Sequence, residues 1–301
     1  GDVYKRQIFN PENNSVIGQI SGGNMGTSGI AIDQSGNYLY VADFNLGTLS
    51  VVKVTTGTVV ANITISSRPT DVLYDPLTDR LYVTDIYGAI CIVNPNNNEV
   101  IKKVYMPVPI YGITYNPRNG YIYVASDFIE TNYSYIYIID PVGASIAGWI
   151  KVSPPILETG ITYDPRNGYL YITSFPSNKV YVVNPANGDI VATIKVGSEP
   201  TDIAYDPENG YIYVTVTGSN ALSVINPANN SVIANITIKL PYGVTYDPKT
   251  GYLYVTSGYN KVFVVNPDNM SVIGNFSVGL GPSGIAYDPE NGYIYVANCM
   301  S

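Results

Sequence analysis

Histidine is absent from the 301 residues, and this absence narrows the possible chemistry more than any other feature. Histidine is the commonest general base and the commonest metal ligand in proteins. Without it, neither a Ser-His-Asp nor a Cys-His nucleophilic arrangement can be assembled. We therefore expect no enzymatic activity and no cofactor, although a mechanism that uses two carboxylates as acid and base stays open.

Charge is scarce as well, and basic charge in particular. Charged residues make up 13% of the chain, and 15 Lys and Arg against 23 Asp and Glu give a net charge of −8. A nucleic-acid interface needs clustered basic residues, and here they are scattered, so we expect no nucleic-acid partner. No apolar run reaches the length of about 18 residues that spans a membrane, so no transmembrane segment is expected in this sequence.

The first residues do not resemble the rest. Residues 2–7 read DVYKRQ, which resembles the in-frame translation of a transposon end used to prepare sequencing libraries. We therefore interpret residues 1–7 as non-native and the chain as a metagenomic fragment whose true N-terminus is missing.

What the chain has in abundance is one short phrase, present in seven copies. The best copies read YDPENGYIYV, at 205–214 and 287–296. The seven copies lie 42, 41, 48, 42, 41 and 41 residues apart, counted between their anchor residues Asp33, Asp75, Asn116, Asp164, Asp206, Asp247 and Asp288. A period of about 40 residues with several short strands in each unit is typical of the blades of a β-propeller.

The fifth repeat shows how one unit should fold. Its β-branched and aromatic stretches predict strands at 201–205, 211–215, 221–225 and 231–238. Turn residues at 206–210 join the first strand to the second, and those at 226–230 join the third to the fourth. Both faces of these strands are apolar, so each sheet must be covered on both sides. The sequence thus predicts an all-β fold of blades with four antiparallel strands, in which Tyr211 and Tyr213 belong to the core.

The two ends of the chain carry complementary parts of one repeat. Residues 8–20 match the third and fourth strands of a unit, and residues 292–298 match the second. We therefore predict a single seven-bladed β-propeller over residues 8–301, whose last blade is closed by both termini and leaves no open edge.

The second-strand phrases YVTD at 82–85, YVTS at 254–257 and YVAN at 295–298 extend the pattern. Together with the NPxNxSVI outer strands, they resemble the YVTN family of β-propeller repeats over nearly the whole chain. That family is best known from archaeal and bacterial surface-layer and cell-surface proteins. The resemblance implies a structural or interaction module at the cell surface or outside the cell, with other surface proteins or glycans as partners. The alternative is a ligand-binding or His-free, carboxylate-based enzymatic propeller.

Asn-x-Ser/Thr sequons fit an extracellular location. Six of the seven fall on predicted outer turns or outer strands, where an attached glycan would be accessible. The seven asparagines are Asn13, Asn62, Asn132, Asn229, Asn235, Asn269 and Asn275.

Three acids should meet at the mouth of the central channel. Asp71 lies where the innermost strand of its repeat begins, and Asp43 and Asp85 lie at the ends of second strands in adjacent repeats. Converging carboxylates provide the oxygen ligands that Ca²⁺ prefers, so these three are candidate ligands of a divalent cation. The alternative is that they are solvated loop acids.

The same face of the propeller should carry the other binding residues. Most repeats begin the innermost strand with glycine, but the fifth has Asp202. The third repeat is longer, and insertions in repeats tend to fall on a functional face. The predicted binding face comprises Tyr111, Asp127, Phe128, Glu130, Glu158, Asp202 and Tyr242.

Overall fold

A computed structural model describes residues 5–11, 15–21, 27–127, 133–153 and 160–300. These residues form 28 β-strands in seven four-stranded antiparallel sheets, one sheet for each blade. The predicted seven-bladed β-propeller is thereby confirmed. In this described part of the chain, no helix has the length and apolar character needed to cross a membrane.

Each blade runs from the central channel to the rim, and strands are numbered along the chain. The innermost strands of blades 1 to 7 are β3 (Thr27–Ile32), β7 (Pro69–Asp75), β11 (Ile110–Tyr115), β15 (Ile161–Asp164), β19 (Pro200–Tyr205), β23 (Pro241–Asp247) and β27 (Pro282–Tyr287). The second strands are β4 (Tyr38–Asp43), β8 (Arg80–Asp85), β12 (Ile122–Ser126), β16 (Tyr169–Ser174), β20 (Ile212–Val216), β24 (Tyr252–Ser257) and β28 (Ile294–Asn298).

The outer half of each blade follows the same order. The third strands are β5 (Thr48–Lys53), β9 (Ala89–Asn94), β13 (Ser134–Asp140), β17 (Lys179–Val183), β21 (Ala221–Asn226), β25 (Lys261–Asn266) and β1 (Lys5–Asn10). The outermost strands are β6 (Thr58–Thr64), β10 (Glu99–Tyr105), β14 (Ser145–Val152), β18 (Ile190–Lys195), β22 (Ser231–Thr237), β26 (Ser271–Ser277) and β2 (Ser15–Ser21).

Blade 7 is closed by both ends of the chain, as predicted. Its strand order is β2-β1-β28-β27, and Ile8 of β1 lies opposite Tyr295 of β28. Strand β1 begins at Lys5, three residues before the predicted start of the propeller. The Gln7 side-chain oxygen accepts a hydrogen bond of 2.7 Å from the backbone N–H of Gly279. The closing blade is therefore held by side-chain as well as ladder hydrogen bonds.

The four strands of the fifth repeat appear where the sequence predicts them, and no strand begins or ends more than one residue from its predicted position. Gly210 has a φ of 78°, which suits the residue that ends the tight turn between β19 and β20, because glycine has no Cβ to oppose a positive φ.

The core consists of the faces that neighbouring blades turn towards each other. Tyr213 of β20 is fully buried against residues of the next blade, including Leu253 and Val255. The Tyr213 hydroxyl accepts a hydrogen bond of 2.9 Å from the Asn209 side-chain amide in its own turn. Tyr211 is only partly buried and packs against the same group of residues. The tyrosine-rich phrase thus builds the contact between blades, as predicted.

The rim is protected by an irregularity that repeats in every blade. The pairing of the third and outermost strands shifts register at the same place each time, so that one aliphatic residue has no partner and is exposed. These residues are Ile17, Val60, Ile101, Ala147, Val191, Ile233 and Ile273. Bulges of this kind twist an edge strand and hinder its pairing with another chain.

Candidate functional site at the central channel

The seven innermost strands surround a cavity of about 550 Å³ at the centre of the propeller. Each blade contributes two or three consecutive residues to its lining, from its innermost strand or, in the case of Gly160, from the position just before it. One residue of each blade occupies the same position in its repeat, and we call these seven residues the channel ring. They are Gly29, Asp71, Gly112, Gly160, Asp202, Gly243 and Gly284.

Glycine prevails in the channel ring because adjacent blades approach each other closely there. A Cβ at Gly243 would lie 2.4 Å from the carbonyl oxygen of Ser283 in the next blade. At Gly160 it would lie 3.0 Å from the carbonyl oxygen of Thr201. Two heavy atoms cannot come as close as 2.4 Å without displacement of the backbone, so the ring position of blade 6, Gly243, excludes a side chain.

Threonines of the second strands connect adjacent blades just behind the ring. Thr215 accepts a hydrogen bond of 2.8 Å from the backbone N–H of Asp202 in its own blade, and donates one of 2.7 Å to the carbonyl of Tyr242 in the next. The same two contacts recur at three other threonines. The four residues are Thr84, Thr173, Thr215 and Thr256. We call them the threonine clips.

The two acids of the channel ring also connect blades. The Asp202 carboxylate accepts a hydrogen bond of 2.8 Å from the N–H of Ile203, and its other oxygen accepts one of 2.9 Å from the N–H of Val244 in blade 6. Asp71 accepts a hydrogen bond of 2.8 Å from the N–H of Val72, and the N–H of Ile113 in blade 3 also donates a hydrogen bond to its carboxylate. An aspartate is thus compatible with a ring position when its carboxylate binds the backbone of the next blade.

Burial shifts the titration of both acids. It raises the pKa of Asp71 from 3.8 to about 7 and that of Asp202 from 3.8 to about 6, and the hydrogen bonds from backbone N–H groups oppose this rise in both cases. The charge of Asp202 raises the pKa of Asp71 further. Both side chains remain partly accessible. Among the described residues that line the cavity, no lysine or arginine compensates their charge.

Two tyrosines complete the lining. Tyr111 and Tyr242 each precede a glycine of the channel ring, in the blades that follow the two acids, and Tyr242 is 39% exposed. Four of the sequence-predicted site residues therefore share this cavity: Asp71, Tyr111, Asp202 and Tyr242.

The structure does not bring Asp43, Asp71 and Asp85 together. Asp43 and Asp85 are buried at the ends of β4 and β8 and do not belong to the cavity lining. Asp43 accepts a hydrogen bond from the N–H of Leu46 in the loop that follows.

Asp85 fixes two loops in the same way, the connection between blades 1 and 2 and the loop between β8 and β9 of its own blade. It accepts hydrogen bonds from the N–H groups of Arg68 (2.9 Å) and Tyr87 (2.6 Å), and from the Ser66 hydroxyl. No group of three or more Asp, Glu, His or Cys side chains in the described part of the chain could hold a metal ion. The three predicted ligands are therefore not gathered at one point, because Asp43 and Asp85 bind the loops beside their strands.

The remaining predicted residues are Asp127, Phe128, Glu130 and Glu158. The backbone N–H of Asp127 donates a hydrogen bond of 2.9 Å to the carbonyl of Pro109, and Asp127 does not line the cavity. Phe128, Glu130 and Glu158 lie outside the described residues.

The threonine clips are the components of the site that the sequence reasoning missed. A signal for them was available, since threonine recurs as the third residue of the second-strand phrase in four of the seven repeats. The other three repeats have Ala42, Ala125 and Ala297 there.

Comparison with known proteins supports the architecture. The β-propeller domain of Cps50 (Swd1) from Myceliophteria thermophila superimposes with a TM-score of 0.71 over 94% of this chain and 98% of that chain, at 12% sequence identity. The shared property is the fold alone. A family model described as Arylesterase matches residues 129–259, which is fewer than half of the 301 residues and does not show membership. No curated protein matches the chain. The resemblance to YVTN repeats stays a prediction.

Proposed function

We propose that this propeller is a non-enzymatic interaction module of a secreted or cell-surface protein, and that it binds its ligand or partner at the central channel. The observation that carries the proposal is the cavity of about 550 Å³, whose lining combines two acids and two tyrosines with apolar walls. Pockets with a few polar groups in an apolar lining are the usual binding sites of folded proteins.

The hydrogen bonds of the acids argue against catalysis. Each carboxylate of the channel ring already accepts N–H groups from two blades, so it acts as a structural connection. A general base must reach the proton that it abstracts, and a nucleophile needs a base beside it. The chain offers no histidine for either role.

The sequons support an extracellular location. The asparagines in the described part of the chain are all exposed on outermost strands or outer turns: Asn62, Asn229, Asn235, Asn269 and Asn275. A glycan attached at these positions would extend from the rim, away from the channel. The repeat phrases that resemble surface-layer proteins point to the same location.

A hydrolase that acts on aryl esters is the second candidate. The family model described as Arylesterase favours it, and the matched residues include Asp202 and Tyr242 of the cavity. A carboxyl whose pKa lies near 7, as at Asp71, is also within the range that suits a general base.

Hydrolysis of phenyl acetate and nitrophenyl acetate separates the two candidates. We expect the purified protein to release product no faster than its Asp71→Asn/Asp202→Asn variant, which retains one acceptor oxygen at each position. A saturable rate of hydrolysis that is lost in this variant would refute the non-enzymatic proposal and support the hydrolase. Exposure at the cell surface is tested by adding a protease to intact cells that produce the full-length protein. The propeller should be cleaved without lysis of the cells.

A further inference from the structure

The two acids of the channel ring belong to blades that are far apart in the ring. Asp71 belongs to blade 2 and Asp202 to blade 5, so they lie three blades apart in a ring of seven, on opposite sides of the channel. The other five ring positions are glycines, which leave the space between the acids free of side chains from the ring.

Each acid is followed by the same set of neighbours. Asp71 binds the N–H of Ile113, and the strand that supplies this group brings Tyr111 into the lining. Asp202 binds the N–H of Val244, and that strand brings Tyr242. In both cases a threonine clip binds the carbonyl of the tyrosine, at 2.9 Å from Thr84 and 2.7 Å from Thr215. The cavity therefore contains two equivalent half-sites, each with one carboxylate and one tyrosine.

The charge of these half-sites is not compensated by the protein. The two aspartates are the only charged residues in the described lining of the cavity. Burial disfavours the ionised form of both acids, and the charge of Asp202 further disfavours that of Asp71. A cation in the channel would relieve both, because an opposite charge within a few ångströms stabilises a carboxylate. Tyrosine rings bind organic cations through their π-electrons, and the isoleucine and valine residues of the walls suit aliphatic chains.

From these observations we infer that the channel binds an aliphatic diammonium cation, with one ammonium group at each half-site. Two positive charges balance the two carboxylates, and the carbon chain lies along the apolar wall. The source is either a free diamine or the lysine side chains of a partner, which present the same chemistry. This inference rests on the proposed function, since it names the ligand class of the same cavity.

Calorimetric titration with diaminobutane tests it, with butylamine as the matched monoamine. At a salt concentration of about 150 mM, which screens exposed charges beyond about 8 Å, we expect the diamine to bind at least about tenfold more tightly, because its second ammonium group binds within the same molecule. The series from diaminopropane to diaminohexane should show a preferred length. A peptide with two lysines and its acetylated form then distinguish the source: binding of either the diamine or the unmodified peptide supports the inference.

The variants decide whether the channel is responsible. Asp71→Asn/Asp202→Asn should lower diamine affinity at least about thirtyfold, while Asp268→Asn, which removes one negative charge from an exposed outer turn, should leave it unchanged. If the double variant does not fold, Tyr111→Leu/Tyr242→Leu replaces it, with an expected loss of roughly three- to thirtyfold. Equal affinity in the wild type and the folded variants, or binding of Ca²⁺ or Mg²⁺ without binding of any amine, would overturn the inference. Either of these results would refute the diammonium ligand but leave the proposed function unaffected. Ester hydrolysis that depends on the two acids would instead refute the proposed function itself.

Discussion

Lowering the pH from about 7.5 to about 4.5 is expected to stabilise this propeller, because its buried acids prefer the protonated form. Burial raises the pKa of Asp202 from 3.8 to about 6 and that of Asp71 from 3.8 to about 7. Between the unfolded and folded pKa values, the folded protein holds more protons than the unfolded chain. The contribution of these two acids to the free energy of unfolding therefore falls as pH rises through this window and is constant outside it.

The magnitude follows from the size of the difference. For Asp202 the pKa rises from 3.8 to about 6, and about 1.4 kcal/mol for each pH unit gives roughly 3 kcal/mol over the whole window, of which about 2 kcal/mol is realised between pH 7.5 and 4.5. Water in the channel reduces this figure, because both acids are partly accessible. Burial also raises the pKa values of Asp206 and Asp288, which adds to the effect with the same sign.

Urea denaturation followed by circular dichroism at several pH values measures the effect. The wild-type midpoint should increase as pH falls from about 7.5 to about 4.5. In Asp71→Asn/Asp202→Asn the dependence should be much weaker, whatever the stability of the variant at a single pH, and in Asp268→Asn it should match the wild type. A wild-type midpoint that decreases towards acid pH, or a double variant with an unchanged slope, would refute the assignment of these raised pKa values to the channel acids.

Three substitutions test the contacts between blades, each read as the free energy of unfolding from denaturant curves. Tyr213→Ala should cost about 3–5 kcal/mol because it empties a fully buried aromatic site; a cost below about 1 kcal/mol contradicts this packing. Thr215→Val keeps the side-chain volume but removes two hydrogen bonds to backbone groups, so a loss of about 1–3 kcal/mol is expected. Gly243→Ala places a Cβ against the carbonyl of Ser283 and should destabilise, whereas Gly274→Ala, with no atom within 4 Å of the added carbon, should not; equal effects would show that the close approach at the ring is unimportant.

Much of the fold could be read from the sequence because each repeat is a local unit. The turn after Asp206 and the strand at 212–216 are encoded within a dozen residues, and seven copies of the phrase define seven blades. The burial of Tyr213 follows from strands that are apolar on both faces, since such strands must be covered on both sides. Closure of blade 7 by both termini follows from the complementary partial repeats at the two ends.

The candidate site was only partly predictable. Asp71 and Asp202 were recognisable as exceptions among the glycines that begin the innermost strands, and both line the cavity. Asp43 and Asp85 carry the same chemistry in the sequence, yet the structure buries them at strand ends, where they bind loop N–H groups. The two pairs occupy different positions in the repeat, but the sequence does not show which position faces the channel, because the direction of a side chain depends on how the blade packs.

The sequence by itself determined the number of blades, their strands and the composition of the channel ring, because these properties repeat with the period of the chain. The tertiary structure alone decided which residues meet across the channel. Asp71 and Asp202 are 131 residues apart and belong to blades that make no contact with each other along the ring. Their convergence on one cavity is set by the angle between successive blades and by closure at seven, which are properties of the whole ring and of no single repeat.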